Sequence, residues 1–358
     1  MRVLVVAVVQ DPRDARVAER EIGALVAAGH EVAYAAPFSD FGATPPEGVI
    51  AVDIPRARGR RRTAALRAAR RVLRRMGPGS DVILLHNPEV LIATVGLRHP
   101  VIVWDVHEDT AAAVTMKRWL PPPLQRPAAR VVRGLERYAE RHLHLLLAEQ
   151  AYAERFERSH PVVPNTSVVP ERVPPTGRGR AVYVGTLTEQ RGGDELIAIG
   201  RLLAPDVVMD VLGPAHGPLA DRMQAANREG VVRWRGFVPN AVALEAIEGA
   251  TVGLSMLHDE PNYRHSMPTK LYEYLARGVP FVSTPLPLAC ELAEASGGGL
   301  IVPFGDPDAT AAAVRELDAD DARRQAMADA GRSWVRDNAD WRRDGEAFVA
   351  QLEAWARS

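Results

Sequence analysis

The chain has 358 residues, of which 47% are hydrophobic and 25% are charged, and its formal net charge is −1. This length is about twice the ~150 residues of a typical domain, so we expect two domains, and the composition excludes a disordered or fibrous chain. The single cysteine, Cys290, excludes a disulfide framework and a cysteine-built zinc site. No apolar stretch approaches the ~18 residues of a membrane span and no signal-peptide pattern opens the chain, which predicts a cytoplasmic protein.

Charge is distributed unevenly along the chain. Residues 1–164 contain 24 basic and 18 acidic residues, whereas the remainder contains 20 basic and 27 acidic residues. The basic first half indicates either that anionic partners bind there or that the composition is simply rich in arginine. Only Lys117 and Lys270 among the 44 basic residues are lysines.

The first half alternates strand and helix patterns. Residues 3–9 form an apolar, β-branched run that is typical of a parallel strand buried on both faces. Helical spacing follows at residues 17–26, Gly29 ends that helix, and residues 31–36 form the next strand. Further strands, each followed by a helical stretch, are predicted at residues 81–85, 101–105 and 143–148. This order predicts an open, doubly wound α/β sheet.

The same pattern restarts in the second half, after a Pro- and Gly-rich linker at residues 173–179. A second set of strands is predicted at residues 181–184, 207–212, 231–235, 251–255, 281–283 and 300–302. We therefore expect two Rossmann-like domains. The first is formed by residues 1–164 with a C-terminal helix at 341–358, and the second by residues 165–340. Two such domains are expected to face each other across a ligand-binding cleft.

The strongest functional signal lies in residues 262–280. Pro268 predicts the first turn of a helix that ends at Gly278. Lys270 falls in the first turn, where unpaired backbone N–H groups and the helix dipole favour a phosphate, and Glu273 follows one turn later. A lysine beside a phosphate and a carboxylate that accepts ribose hydroxyls would form a nucleoside-diphosphate site. An isolated Lys-x-x-Glu pair is more often solvated.

This segment resembles the nucleotide-sugar site of family 4 retaining glycosyltransferases, which have the GT-B fold. Many members read approximately S-x-P-x-K-x-[FY]-E-Y-x-A-x-G-x-P at this place. The chain matches that pattern at Ser266, Pro268, Lys270, Tyr272, Glu273, Tyr274, Ala276, Gly278 and Pro280. The family often has a pair of glutamates here. Glu273 matches the second of them, but the first would fall on His265, so the resemblance leaves open which donor sugar is bound.

Two further segments are similar to the same family. In residues 183–193, Gly185 would let the backbone approach the diphosphate and Arg191 would neutralise it. Alternatively, Gly185 only terminates a strand and Arg191 is solvated. In residues 103–109, His107 matches the family's active-site histidine, whereas a lone histidine at a strand end would otherwise be structural.

Residues 14–17 look like the D-x-R-V first loop found in one branch of the family. Arg16 would then point into the cleft, and the alternative is a surface ion pair between Arg16 and Glu19. His86, at the end of another predicted strand, is expected either to line an acceptor pocket or to belong to a turn in which Pro88 starts a helix.

No metal and no cofactor are predicted, since the nucleotide sugar would be a co-substrate. Asp318-Ala-Asp320 matches a D-x-D metal motif, but it follows a predicted helix at residues 309–317 and is better explained by helix capping. The absence of a Walker-type phosphate loop and of an HExxH motif argues against an ATPase or a zinc hydrolase.

Residues 56–75 contain ten arginines interleaved with alanine, leucine and valine. This pattern predicts either a basic amphipathic helix that rests on an anionic membrane or a solvated arginine-rich helix. No tryptophan or phenylalanine is present in the segment to anchor an apolar face.

The resemblance implies a metal-independent, retaining hexosyltransferase that moves a sugar from a nucleoside-diphosphate sugar to an acceptor hydroxyl. The implied site residues are His107, Arg191 and Lys270 as catalytic residues, and Glu273, Gly185, Arg16, His265, Ser266 and Val238 as substrate- and nucleotide-binding residues. The acceptor would be a small molecule, a glycan or a lipid-linked compound, with no nucleic-acid partner, and the protein would be cytoplasmic or peripheral at the inner face of the membrane. The alternatives are a nucleotide-sugar epimerase of the same fold and an inactive nucleotide-sugar-binding protein.

Overall fold

A computed structural model describes residues 1–111 and 121–358, so Lys117 lies outside the described residues. The chain divides into two compact units. Unit 1 comprises Met1–Asn165 and Arg343–Ser358, and unit 2 comprises Thr166–Arg342. Each unit contains its own sheet and its own hydrophobic core.

Unit 1 is built on a six-stranded parallel sheet. Its strands are β1 (Arg2–Val6), β2 (Glu31–Ala36), β3 (Val49–Asp53), β4 (Val82–Leu85), β5 (Ile102–Val106) and β6 (His144–Leu147). They lie in the order β3-β2-β1-β4-β5-β6. The direction of winding reverses between β1 and β4, and doubly wound sheets bind ligands beyond the carboxyl ends of the strands at such a switch point.

Five α-helices whose two ends lie in the described residues precede the second unit, and one returns from it. They are α1 (Gly23–Ala27), α2 (Phe38–Phe41), α3 (Arg62–Met76), α4 (Pro88–Thr94) and α5 (Pro122–His142). The chain ends in α13 (Trp341–Arg357), most of which belongs to unit 1. There, Nε2 of His30 lies 3.1 Å from Oε1 of Glu353, and the rings of His144 and Trp355 stack with centroids 4.6 Å apart.

Unit 2 repeats the strand order of unit 1. Its strands are β7 (Arg180–Val184), β8 (Val208–Leu212), β9 (Arg233–Trp234), β10 (Val252–Ser255), β11 (Phe281–Ser283) and β12 (Gly299–Ile301), in the order β12-β11-β10-β7-β8-β9. The switch point therefore lies between β7 and β10. The helices are α6 (Gly193–Leu203), α7 (Pro218–Arg228), α8 (Asn240–Ile247), α9 (Thr269–Ala276), α10 (Pro287–Ser296), α11 (Pro307–Ala319) and α12 (Asp321–Asn338).

The strands predicted from the sequence are all observed, because buried parallel strands have continuous apolar runs. Strand β3 was not predicted. It lies at the edge of its sheet, pairs only with β2, and leaves Ile50 60% exposed. The run Val49–Val52 is nevertheless apolar, so a signal for β3 was present in the sequence despite its exposure.

The predicted helix at residues 17–26 is present but begins differently. Ala15–Ile22 forms a π-helix, capped by the side chain of Asp14, and the α-helix proper is Gly23–Ala27. A π-helix is rare and occurs frequently at functional sites, because its wider turn changes which side chains lie side by side.

The arginine-rich segment contributes helix α3. Its apolar residues Ala65, Ala69 and Leu73 are fully buried in the core of unit 1. Val72 and Met76 pack half-buried against the same core, so most of the apolar face is used within unit 1, and the exposed side consists mainly of arginines. Among the described residues, no helix combines the length and the apolar character needed to cross a membrane.

Candidate functional site

The switch point of unit 1 brings together the segments that follow β1 and β4. Asn87 joins them, because its Oδ1 accepts hydrogen bonds from the backbone N–H groups of Val8 at 2.7 Å and Val9 at 3.1 Å. Pro88 begins α4 directly afterwards, so the prediction of a turn with Pro88 at a helix start is confirmed. His86 is buried immediately before this turn.

Five titratable side chains from three parts of unit 1 form what we call the ionic cluster: Arg16, Glu21, His86, Asp105 and His107. Arg16 donates through Nε and Nη2 to both carboxylate oxygens of Asp105, at 2.8 and 2.6 Å. Its Nε also lies 3.0 Å from Oε1 of Glu21. His107 contacts the same carboxylate, with Nδ1 at 3.0 Å from Oδ2 of Asp105. Two of the predicted site residues, Arg16 and His107, therefore meet at Asp105.

The partner of Arg16 differs from the surface partner predicted as an alternative. Arg16 is only 4% exposed and pairs with Asp105, whereas Glu19 is exposed. The surface ion pair with Glu19 is therefore wrong. The π-helix supplies the reason, because its i to i+5 pattern places Arg16 beside Glu21 instead and turns both inward.

Within the ionic cluster, the charges of Arg16 and Asp105 stabilise each other, and Asp105 also favours a protonated His107. Burial would raise the pKa of Asp105, but the charge of Arg16 and its hydrogen bonds outweigh burial and hold that pKa well below its ordinary value. Burial would likewise lower the pKa of His107, but the hydrogen bond to Asp105 and the charge of that carboxylate raise it to about 9. The Asp105 carboxylate thus accepts a hydrogen bond from Nδ1 of a protonated His107.

A pocket of about 560 Å³ opens beside the ionic cluster in unit 1. His86, Asn87 and His107 line it at the switch point, and Val131 and Val132 of α5 form an apolar wall. The pocket therefore offers hydrogen-bonding groups on one side and an apolar surface on the other. This is the usual composition of a small-molecule site.

His86, Asp105 and His107 also place one potential metal-ligand atom each within 4.8 Å of one another. The guanidinium of Arg16 already binds both oxygens of this carboxylate. A fixed positive charge on the ligand carboxylate disfavours a cation at the same place. The donor atoms present thus fit a network of hydrogen bonds better than a metal centre.

In unit 2, Lys270 and Gly185 come together at the switch point. Gly185 follows β7 with a φ of +127°, a backbone conformation that favours glycine. A Cβ built on Gly185 would lie 3.6 Å from Nζ of Lys270, and that Nζ also lies 3.6 Å from the centroid of the Tyr183 ring. This is cation–π distance. Although the Nζ is buried, it hydrogen-bonds to none of the described residues.

The charge state of Lys270 depends on its surroundings. Burial lowers the pKa of Lys270 well below its ordinary value, the charge of Arg191 lowers it further, and the charge of Glu273 opposes this. An ammonium in such a place is stabilised by an anion, since a buried charge without a partner is costly. The predicted residues Gly185, Arg191, Lys270 and Glu273 therefore form one electrostatic site.

Arg191 is placed by a short turn after Thr188. The backbone N–H of Arg191 donates to Oγ1 of Thr188 at 3.2 Å, and Gly192 follows with a φ of +78°. A Cβ on Gly192 would lie 2.4 Å from the carbonyl oxygen of Met256, which follows β10. Only glycine fits this approach, so the turn that carries Arg191 is held against the end of β10.

The motif around Lys270 contains structural as well as polar residues. Tyr274 is fully buried; its hydroxyl donates to the carbonyl of Leu254 at 3.0 Å and accepts from the N–H of Val184 at 3.1 Å. Tyr274 thus ties β7 to β10. Pro268 caps α9 rather than forming its first turn, because the helix begins at Thr269.

The other residues predicted for the donor site lie around α9 and the end of β9. Glu273 is buried one turn after Lys270. His265 is exposed and Ser266 half-buried in the turn before α9, and Val238 packs against the core cluster that contains Tyr274. Ligand contacts of these residues stay a prediction.

The D-x-D sequence has a structural role. Asp320 caps α12, accepting from the N–H of Arg323 at 2.9 Å, which confirms the predicted capping. Asp318 accepts from the N–H of Gly179 at 2.6 Å and from Oγ1 of Thr251 at 3.0 Å. Both carboxylates are thus used at the ends of helices and strands.

The sequence analysis missed Asp105 and Glu21. Asp105 could have been identified from the sequence, because a charged residue inside the apolar run of β5 must find a partner when the strand is buried. Glu21 had none, since an acidic residue in a helix rich in Arg and Glu is usually solvated.

Comparisons with known proteins bear on the family and the fold of the chain. Residues 178–320 match the family model described as glycosyl transferases group 1. No curated protein sequence matches the chain.

Solved structures match almost the whole chain. Sucrose-phosphate synthase from Thermosynechococcus elongatus is 16% identical, with a TM-score of 0.79 and 100% of each chain covered. HepE from Anabaena, in complex with UDP-glucose, is 14% identical, with a TM-score of 0.73, and the match covers 99% of this chain and 100% of HepE. WaaG, a glycosyltransferase involved in lipopolysaccharide biosynthesis, is 15% identical, with a TM-score of 0.68 and coverage of 98% of this chain and 99% of WaaG.

The fold is GT-B. At these identities the structural matches establish the fold, and together with the family model they support a glycosyltransferase. The GT-B fold confirms the fold class predicted from the sequence.

Proposed function

We propose that this chain is a retaining glycosyltransferase of family 4 that moves a sugar from a nucleoside-diphosphate sugar to an acceptor hydroxyl without a metal. The observation that carries the proposal is the Nζ of Lys270, which is buried at the Gly185 turn and hydrogen-bonds to none of the described residues. A diphosphate supplies the anion that this ammonium requires.

The donor site would lie in unit 2. Lys270 and Arg191 would bind the diphosphate, the glycine turn at Gly185 would let it approach the backbone closely, and Glu273 would accept hydrogen bonds from the ribose hydroxyls. The rigidity of the site supports this role, because Tyr274 and Gly192 hold its elements at fixed positions. Pre-organised charges stabilise a leaving group without reorganisation during the reaction.

The acceptor site would lie in unit 1. Its pocket of about 560 Å³ is large enough for a small organic acceptor or for one end of a larger one. His107 lines this pocket and is the residue that we propose to act at the transferred sugar. An acceptor pocket favours a transferase over an epimerase, which would not need one.

In the proposed reaction, the charges of Lys270 and Arg191 stabilise the leaving group. The bond between the anomeric carbon and the diphosphate oxygen breaks, and the electron pair leaves with the diphosphate, whose charge Lys270 and Arg191 stabilise. The acceptor oxygen bonds to the anomeric carbon on the same face, and its proton passes to the departing phosphate. No metal is needed, since the two side chains provide the positive charge.

Uridine diphosphate is the first nucleotide to test, because HepE has been solved with UDP and with UDP-glucose. A thermal-shift screen of UDP, GDP, dTDP and CDP and of their sugars identifies the donor, since a ligand at 100 times its Kd adds about 2.7 kcal/mol. The donor found is then incubated with candidate acceptors in the presence of EDTA, and the anomeric configuration of the product is determined.

We expect one nucleotide to stabilise the protein, and transfer with retention to survive EDTA. Glu273→Ala should weaken binding of that nucleotide by about 1.5–3 kcal/mol in calorimetry. Turnover without an acceptor would favour the epimerase, and donor binding without any turnover would favour an inactive binding protein. Activity that is lost in EDTA and restored by magnesium or manganese would contradict the metal-free reaction.

A further inference from the structure

His86 has a carboxylate at each of its two ring nitrogens. Its Nδ1 lies 3.3 Å from Oδ2 of Asp105, and its Nε2 lies 3.4 Å from Oε2 of Glu21. The side chains of all three residues are 0% exposed. The imidazole is therefore placed between two buried acids.

This placement determines how many protons His86, Asp105 and Glu21 must carry together. A neutral imidazole has one N–H, so one of its nitrogens would turn a lone pair toward a carboxylate oxygen. In a buried place that arrangement is repulsive and leaves polar atoms unsatisfied. Asp105 stays ionised because Arg16 donates to both of its oxygens. One additional proton must therefore lie between His86 and Glu21.

We propose that Glu21 is a protonated carboxylic acid at neutral pH and donates to Nε2 of His86. His86 then carries its own proton on Nδ1 and donates to Asp105. Glu21 and His86 are thus positioning residues that hold the Asp105 carboxylate in place for His107.

The charges around the pair favour this location of the proton. Burial raises the pKa of Glu21 well above its ordinary value and the charge of Asp105 raises it further, against the charges of Arg16 and His107. Burial lowers the pKa of His86 despite the opposing effect of Asp105. The charged groups that face the pair are Arg16 and Asp14 from the N-terminal segment, and Asp105 and His107 from β5 and the residue after it.

The consequence concerns the tautomer of His86 and the orientation of His107. With a proton on Glu21, Asp105 accepts from Arg16, from His86 and from His107, and the carboxylate cannot rotate. His107 then keeps Nδ1 on Asp105, which leaves Nε2 as the nitrogen for a ligand. Only this last step rests on the proposed function; the protonation of Glu21 does not.

Infrared spectroscopy of the full chain without substrate tests the protonation directly. At pH 7 we expect a carboxylic-acid C=O band that shifts on ¹³C-glutamate labelling. The band should disappear in Glu21→Gln, whose amide N–H can replace the acid proton on His86. It should persist in Glu19→Gln, a matched change at an exposed glutamate of the same helix.

Nitrogen-15 NMR of the histidine side chains tests the positioning role, with His86 assigned by comparison with His86→Gln. We expect the Nδ1–H tautomer of His86 in the wild type and in Glu21→Gln, and a shift of the Nε2 resonance in Glu21→Leu, where Nε2 loses its hydrogen-bond donor. The proposal is overturned if the wild type lacks the acid band, or if its His86 is protonated on both nitrogens or only on Nε2.

A wild type that lacks the acid band overturns the proposal even if every variant fails to fold. Neither measurement uses a nucleotide sugar or an acceptor. A failure of the proposed glycosyl transfer therefore leaves this result unaffected, and a failure here leaves the proposed donor site unaffected.

Discussion

The ionic cluster of unit 1 and the Lys270 site of unit 2 occupy equivalent switch points but balance their charges in different ways. In unit 1, Arg16 binds both oxygens of Asp105, and His107 adds a hydrogen bond to the same carboxylate. In unit 2, the Nζ of Lys270 lies over the Tyr183 ring and finds no hydrogen-bond partner among the described residues.

This difference indicates what each site needs from outside. A buried charge with an internal partner is stable in the absence of a ligand, and removal of that partner is strongly destabilising. A buried charge without one lowers stability until an anion binds. We therefore expect changes in the ionic cluster to affect folding first, and changes at Lys270 to affect ligand binding first.

The largest effect is expected from Arg16→Ala. It leaves the buried carboxylate of Asp105 without its main partner, which should lower the free energy of unfolding by about 3–5 kcal/mol in urea titrations. Arg13→Ala is the matched control, since Arg13 pairs with Asp11 on the surface and should contribute no more than about 1 kcal/mol. Equal losses for the two variants would show that the ionic cluster does not depend on Arg16.

A smaller effect is expected from pH acting on His107. Because Asp105 raises its pKa to about 9, the protonated form stabilises the fold below the ordinary histidine pKa of ~6.5. This stabilisation, up to about 3 kcal/mol, should be lost as the pH rises from ~6.5 through ~9. His107→Gln should remove that part of the pH dependence of urea unfolding, whereas exposed His142→Gln should leave it unchanged.

Lys270→Met tests the site in unit 2. It should weaken binding of the identified nucleoside diphosphate by about 1.5–3 kcal/mol in calorimetry. It should not lower the stability of the unliganded protein, because the buried ammonium is removed. Arg201→Met, at an exposed arginine of unit 2 that pairs with Glu229, should change neither quantity much.

Proton uptake on diphosphate binding is a second test of the role of Lys270. Since burial and then the charge of Arg191 lower the pKa of Lys270, a bound diphosphate should raise it again, and binding should take up protons. Calorimetry in buffers of different ionisation enthalpy measures this uptake. A wild type that takes up no proton, or a Lys270→Met variant that still does, would remove Lys270 from the diphosphate site.

The smallest effect is expected at the surface of α3. Its apolar residues are buried in unit 1, so any contact with an anionic membrane would be electrostatic. Arg71→Gln should then weaken binding to anionic vesicles about fivefold at low salt, since one arginine contributes about 1 kcal/mol. Exposed Arg323→Gln in unit 2 is the control. Wild-type protein that ignores anionic vesicles at low salt would rule out membrane docking.

The sequence alone was sufficient where a pattern is local. Central strands were predicted because buried parallel strands need unbroken apolar runs, whereas the edge strand β3 was overlooked although Val49–Val52 is also apolar. The Lys270 site was also readable, since its lysine and glutamate lie one turn apart on a single helix and the glycine turn directly follows a strand.

The tertiary structure alone decided the partners of the buried charges. Arg16 and Asp105 are 89 residues apart, and no pattern along the chain pairs them. Their meeting depends on the strand order that brings β5 near the π-helix and on the wide turn of that helix, which places Arg16 beside Glu21. Periodicity is a property of neighbouring residues, whereas the partner of a buried charge is determined by how distant strands pack.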